Sequence, residues 1–182
     1  MKAFVAGIVV TILCIVGGGY AFLAGGYAPV ATDSRPLPFE KRLTGMALHA
    51  TLRKEMPRTV PIEATEANYL AGARLYLTNC AVCHGAPGQE KTAIALGEFP
   101  VPPQLMHGKG VTDDPPGETY WKVANGIRLT GMPGFHQSLS QTQMWQISLL
   151  LANANKLPDS VMHVLAGQAE PTAQAPAATP GH

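Results

Sequence analysis

Charge, cysteine and strand-forming patterns are all scarce in this 182-residue sequence. Charged residues make up 14% and the formal net charge is +1, with no basic stripe or polybasic tail, which argues against nucleic acid as a partner. There are three cysteines, and two of them share one short motif, so no disulfide framework is available to hold a small fold. Period-two alternation of apolar and polar residues is rare, which speaks against a sheet-built domain. Proline and glycine are plentiful, at 16 and 19 residues, and suit a small helical domain rich in loops. The length allows one modest domain plus extensions.

What the sequence does contain is the box Cys80-Ala81-Val82-Cys83-His84. C-x-x-C-H is the attachment signature of c-type haem. Two thiols at this spacing reach the two vinyl groups of one porphyrin, and the histidine after them stands beneath the iron as a ligand. Three other readings compete. A redox C-x-x-C opens a helix after a strand, but here a helix-like stretch precedes the box. A zinc site needs a second Cys or His pair, and the remaining cysteine, Cys14, lies far away in an apolar run. A structural disulfide between Cys80 and Cys83 is the bland alternative.

Residues Ala3 to Leu23 form an uncharged, mostly apolar run. A membrane span needs roughly 20 such residues. Lys2 precedes the run and the next charge is Asp33, so the positive-inside rule puts the N-terminus in the cytoplasm and the bulk of the chain outside. A retained anchor over residues 1–24 is the expectation. A signal peptide cleaved near Gly19-Tyr20-Ala21 is the alternative, and either reading exports the chain. Residues 25–63 read as a linker with an amphipathic helix from Phe39 to Met56, Phe39, Leu43, Met46, Ala47 and Ala50 lying near one face. From Asp33 to Arg58 the bases Arg35, Lys41, Arg42, Arg53, Lys54 and Arg58 outnumber the acids Asp33, Glu40 and Glu55. That face reads equally as a solvated linker or as a docking element for anionic headgroups or a partner complex.

The third region, residues 64–166, carries two strong helix signals. Thr65 is an N-cap for a helix that runs to about Asn79, with Tyr69, Gly72, Ala73 and Tyr76 on one face. Gly72 inside a helix implies a close backbone approach. Ser140-Gln141-Thr142-Gln143 is a capping box, and the helix it opens puts Trp145, Ser148, Leu149 and Ala152 on one face before ending ahead of Pro158. These two helices are expected to cross, with Gly72 and Tyr76 against Trp145 and Leu149. The tail from residue 167 to 182 is Ala/Pro/Thr/Gln-rich and reads as disordered.

Taken together, these features resemble the class I monohaem cytochrome c family over roughly residues 64–158. They run in order: Gly72 and Tyr76 on a helix, the Cys80–His84 box with Gly85, a proline-rich loop from Pro100 to Leu105, a helix near Tyr120 to Asn125, and Asn125-Gly-Ile-Arg-Leu-Thr-Gly-Met132-Pro133. The last string looks like membrane-anchored bacterial members. The resemblance implies an all-α fold, a small cytochrome c-like haem domain behind an N-terminal transmembrane helix. It also implies one covalent haem c, held by Cys80 and Cys83, with His84 and Met132 as axial ligands.

Met132 sits between Gly131 and Pro133, a short stiff loop suited to holding a weak thioether against iron; Met106, His107, His136 and Met144 are the other candidates. His/Met ligation raises the reduction potential relative to two histidines. A carbonyl in Pro100-Val-Pro-Pro103 is expected to fix the tautomer of His84, as the family implies. Trp121 and Arg128 are candidate contacts to the propionates.

A closed His/Met site leaves electron transfer as the leading function, rather than enzymatic turnover. The expected role is a carrier at the outer face of a bacterial inner membrane, passing single electrons from a quinol-oxidising or dehydrogenase complex to a terminal oxidase or reductase. Its partners would then be the membrane and respiratory redox proteins, with a place as a subunit of a larger complex also open. A peroxidase-like enzyme and a gas sensor, each with a labile sixth ligand, are the alternatives. The apolar final helix (Met144, Ile147, Leu149, Leu150, Leu151) hints at a contact surface beyond the core.

Overall fold

The computed structural model describes residues 1–106 and 114–167, and among these there are eight helices and no strand. His107, one of the candidate ligands, and nearly all of the tail lie outside the described residues. The chain divides into two compact units, Met1–Thr44 and Gly45–His182.

The first unit is dominated by α1, Lys2–Ala24, a 23-residue helix with no buried residue. At 1.5 Å per residue it is about 34 Å long, against a hydrocarbon layer of about 30 Å. It is long and apolar enough to cross a membrane. After it the chain is irregular up to Phe39.

Helix α2, Glu40–Glu55, runs across the division between the units. The residue it buries is Leu52, with Leu48 half-buried one turn earlier. The face the sequence marked as apolar points the other way: Phe39, Leu43 and Met46 are 70%, 61% and 60% exposed. Sequence periodicity found the helix but not the side on which it packs.

The second unit is built on the crossing of α3, Glu66–Asn79, and α7, Gln141–Ala152. Both start as the sequence dictates. The Thr65 side chain accepts from the Asn68 backbone, and Ser140 and Gln143 form the reciprocal capping box. Helix α3 buries Tyr69, Gly72, Ala73 and Tyr76, the face expected from its period. The crossing is close because position 72 has no side chain: a Cβ there would lie 2.4 Å from the Gln146 carbonyl oxygen. Gly72 therefore meets Gln146 and Leu150 rather than Trp145 and Leu149. Trp145 is turned toward α6, Pro116–Asn125, where it stacks on Tyr120 with ring centroids 4.3 Å apart.

Helix α7 is buried nearly all round, from Met144 to Leu151. It packs on both α3 and α6. The sequence reading also missed one element of this core. Helix α8, Asp159–Leu165, follows Pro158 directly and packs on α3, burying Val161, Val164 and Leu165 in the same core. The apolar side chains of α7 thus belong to the core of their own domain and leave no contact surface to explain. Two shorter helices, α4 (Ala81–His84) and α5 (Ala93–Gly97), carry the chain from α3 toward the proline-rich loop.

Candidate haem-binding site

The Cys80–His84 box is positioned by the end of α3. Cys80 is the C-cap of that helix and the N-cap of α4, so the helix turns once more and presents the box on a single short turn. Gly85 then takes φ 74° and ψ 159°, a conformation that glycine adopts without steric cost, and the chain leaves at a sharp angle. The buried Tyr76 hydroxyl donates to the Gly85 carbonyl at 2.6 Å and ties this exit to the core. Burial pushes the Tyr76 phenol well above its usual range, with Cys80 adding to the effect.

The box opens onto a cavity of about 370 Å³. Cys80, Cys83 and His84 line it on one side and Met132 on another. Val123, Phe135, Ile147 and Leu151 supply apolar walls. The four residues expected from the sequence thus share one cavity, although 48 positions separate His84 from Met132 along the chain.

His84 Nδ1 lies 2.7 Å from the Pro103 carbonyl oxygen. A carbonyl only accepts, so Nδ1 carries the proton and Nε2 keeps its lone pair free for a metal. Burial lowers the His84 pKa, opposed by the bond to Pro103 and by Glu98, and so favours the neutral imidazole that ligation requires. The expectation of a carbonyl partner in the loop from Pro100 to Pro103 agrees with this geometry.

The surroundings of both thiols favour the protonated form. Burial pushes Cys80 up to about 12, helped by Cys83. Cys83 is pushed up to about 11, chiefly because its Sγ donates to Glu98 Oε1 at 3.0 Å, an arrangement that favours the thiol over the thiolate. Among the described residues no group of three or more His, Cys, Asp or Glu side chains is placed to hold a metal ion by itself. A zinc site of that kind is therefore absent among them.

Met132 stands on a loop that the backbone locks from several sides. Its amide donates to Thr130 Oγ1, and its carbonyl accepts from the Ile127 amide. Thr130 in turn donates to the Ile127 carbonyl at 2.7 Å. Gly126, at φ +67°, has backbone atoms of Pro133 and Gly134 within 2.6 Å of where a Cβ would stand. The Phe135 amide, on the far side, donates to the Val123 carbonyl of α6.

The other ligand candidates are spent elsewhere. Met144 is 3% exposed in the core. His136 Nδ1 is bonded to the Ala124 carbonyl at 2.9 Å, and neither His136 nor Met106 lines the cavity. The proposed propionate contacts need correction. Trp121 donates its indole N–H to Glu55 at the end of α2, and the exposed Arg128 is not part of the lining.

Among the lining residues that escaped the sequence reading are three charged ones, Glu98, Asp114 and Lys122. Lys122 is the cation at the cavity wall, paired with Asp114 at 3.2 Å and Glu118 at 2.7 Å. Its spacing of four from Glu118 on one helix was the signal available for it. Glu98 had no signal, because its role depends on a fold of the loop that brings it back to Cys83.

The donor set fits a haem: two thiols, an imidazole with a free Nε2, a thioether and apolar walls within one cavity. A comparison with known families points the same way. Residues 67–149 match the family described as cytochrome C oxidase, cbb3-type, subunit III. No curated protein matches. Among solved structures, the reducing HAO-like protein complex of Kuenenia stuttgartiensis is similar at 24% identity with a TM-score of 0.46. That alignment covers 57% of this chain and 53% of the other, about half its length. Cavity, box and family match converge: residues 67–149 are similar to the class I-like cytochrome c family, a family of haem-based electron transfer.

Proposed function

We propose that this protein is a membrane-anchored carrier of single electrons. In this reading Cys80 and Cys83 would hold one haem c through thioethers, and His84 and Met132 would ligate its iron. When bound, that group supplies one-electron exchange at its iron. The chain's own part is to hold, orient and seal. Pro103 fixes the tautomer and the ring plane of His84. The Thr130 and Ile127 bonds keep the Met132 thioether in place, and Val123, Ile147 and Leu151 exclude water.

The observation that carries this reading is the gathering of all four residues about one apolar cavity. His136 does not line the cavity, so it stands away from a labile site there, which weighs against a peroxidase-like enzyme. In this reading the exposed α1 is the anchor, and Lys2 at its start supports a haem domain at the outer face of an inner membrane. The partners are then a quinol-oxidising or dehydrogenase complex on one side and a terminal oxidase or reductase on the other. The family's description as an oxidase subunit makes membership of such a complex one form of the same role.

The test is the absorption spectrum of the haem-loaded protein with and without carbon monoxide. A weak far-red band in the oxidised state, absent in Met132→Ala, together with no carbon monoxide shift in the wild type, is the expected result. Ready carbon monoxide binding by the wild-type protein would overturn it.

A further inference from the structure

Helix α2 is fastened to the haem domain on one side only. Its Glu55 accepts the Trp121 indole N–H of α6 at 3.2 Å. Just beyond it, the Pro57 carbonyl presses so closely on α6 that a Cβ at Gly117 would lie 1.9 Å from it. Leu52 is 2% exposed on this side. By the 3.6-residue period the opposite side carries Leu43, Met46 and Ala50 in a stripe, with Arg42 and Arg53 along one margin and Lys54 along the other. All six are exposed.

The charges on this helix are arranged unequally. Both of its acids are engaged elsewhere, Glu40 by the Leu37 amide and Glu55 by Trp121. Among the described residues no carboxylate pairs with Arg42, Arg53 or Lys54. The stripe thus combines apolar side chains with uncompensated positive charge.

We propose that this stripe docks on the anionic headgroups of the membrane that holds α1. The inference rests on the anchor reading above and adds a second, peripheral contact to it. Fifteen residues, 25–39, join α1 to α2. Fully extended they reach about 50 Å, so the stripe is never far from the lipid surface and needs no diffusional search. An apolar stripe edged by Arg and Lys suits the boundary between acyl chains and anionic headgroups. A protein partner would need shape as well as charge, and this stripe is a plain convex helix face. Because α2 is tied to α6, docking would also fix the tilt of the haem domain against the membrane.

The full haem-loaded chain is placed in lipid nanodiscs, once in phosphatidylcholine alone and once in an equal mixture with phosphatidylglycerol. A spin label at native Cys14 reports the anchor. A second label at Ala50→Cys, with Cys14→Ser, reports the stripe through its accessibility to a water-soluble relaxant. The expected pattern is a Cys14 label shielded in both discs and an Ala50 label shielded only in the anionic ones. Reversing all three cations to Glu should lower the docked-to-free ratio by at least on the order of 100-fold, at roughly fivefold per cation lost.

An Ala50 label equally open to water in both discs, with Cys14 shielded, overturns the docking and leaves the anchor standing. A Cys14 label in water overturns the anchor and, with it, the docking built on it. Shielding of Ala50 in native membranes but in neither disc would overturn the lipid in favour of a protein occupant.

Discussion

The two sides of the haem cavity solve different problems. The His84 side is built from one helical turn set between the end of α3 and Gly85, and its proposed ligand is aimed by a single side-chain bond to Pro103. The Met132 side has no helix. It is a loop held by backbone bonds to Thr130, Ile127 and Val123 and by the tight approach of Gly126 to Gly134. An imidazole is a strong ligand and tolerates modest support. A thioether is weak, so the proposed ligand on that side needs a backbone that already holds it in position before binding. One side depends on chemistry, the other on stiffness.

Substitutions can break that contrast. The largest effect is expected from Cys80→Ala with Cys83→Ala. Covalent haem should vanish altogether, read as loss of haem that stays with the chain after denaturing electrophoresis; retained covalent haem would refute the attachment assignment. Gly126→Ala comes next. It puts a side chain at φ +67° against backbone atoms, at a cost of about 1–3 kcal/mol. Covalent haem should survive while the far-red band weakens and carbon monoxide gains access. If the band is unchanged, the Met132 side does not depend on backbone stiffness.

Thr130→Val should act in the same direction but less, since it removes two bonds worth about 0.5–1.5 kcal/mol each and leaves the glycine contacts intact. A few degrees' loss in thermal midpoint with a partly retained band is the expected outcome. The smallest effect concerns the haem-free chain. Both thiols are raised in the folded state, Cys83 to about 11 and Cys80 to about 12. Their contribution to stability is complete below the ordinary thiol range and is lost as pH climbs through the folded values. Denaturant midpoints of the haem-free chain should therefore fall between about pH 9 and about pH 12. Glu98→Gln should shift the onset of Cys83 alkylation to lower pH, and an unmoved onset would remove Glu98 as the cause.

Local signals carried much of this architecture. Thr65, Ser140 and Gln143 announced their helices because capping is chemistry between neighbours. Gly72 announced a crossing because nothing else explains glycine on a buried helix face. That Cys80, Cys83, His84 and Met132 belong together was legible through motif and resemblance, and they line one cavity. What was missed depends on distant pairing. The turn of Trp121 toward Glu55 spans 66 positions, and Glu98 reaches Cys83 only after the intervening chain has folded back. Helix α8 is short, and its three buried residues show no period long enough to read. The apolarity of α7 was seen, but its cause lay in packing on α3 and α6 at once. The stripe on α2 was seen too, while the side it packs on followed from contacts that no local pattern encodes.

The order of elements along the chain has a consequence for timing. The side-chain bond from Gln146 to Asn68 spans 78 positions and belongs to the crossing that closes the domain. A chain made from its N-terminus presents α3 and the Cys80–His84 box well before α7 exists to cover them. During that interval the two thiols stand on a short turn with their future wall missing, open to whatever delivers the cofactor. Under the proposed attachment of haem, the lag between the first helix of the domain and the last would set the time open for it, and the close approach at Gly72 would end it.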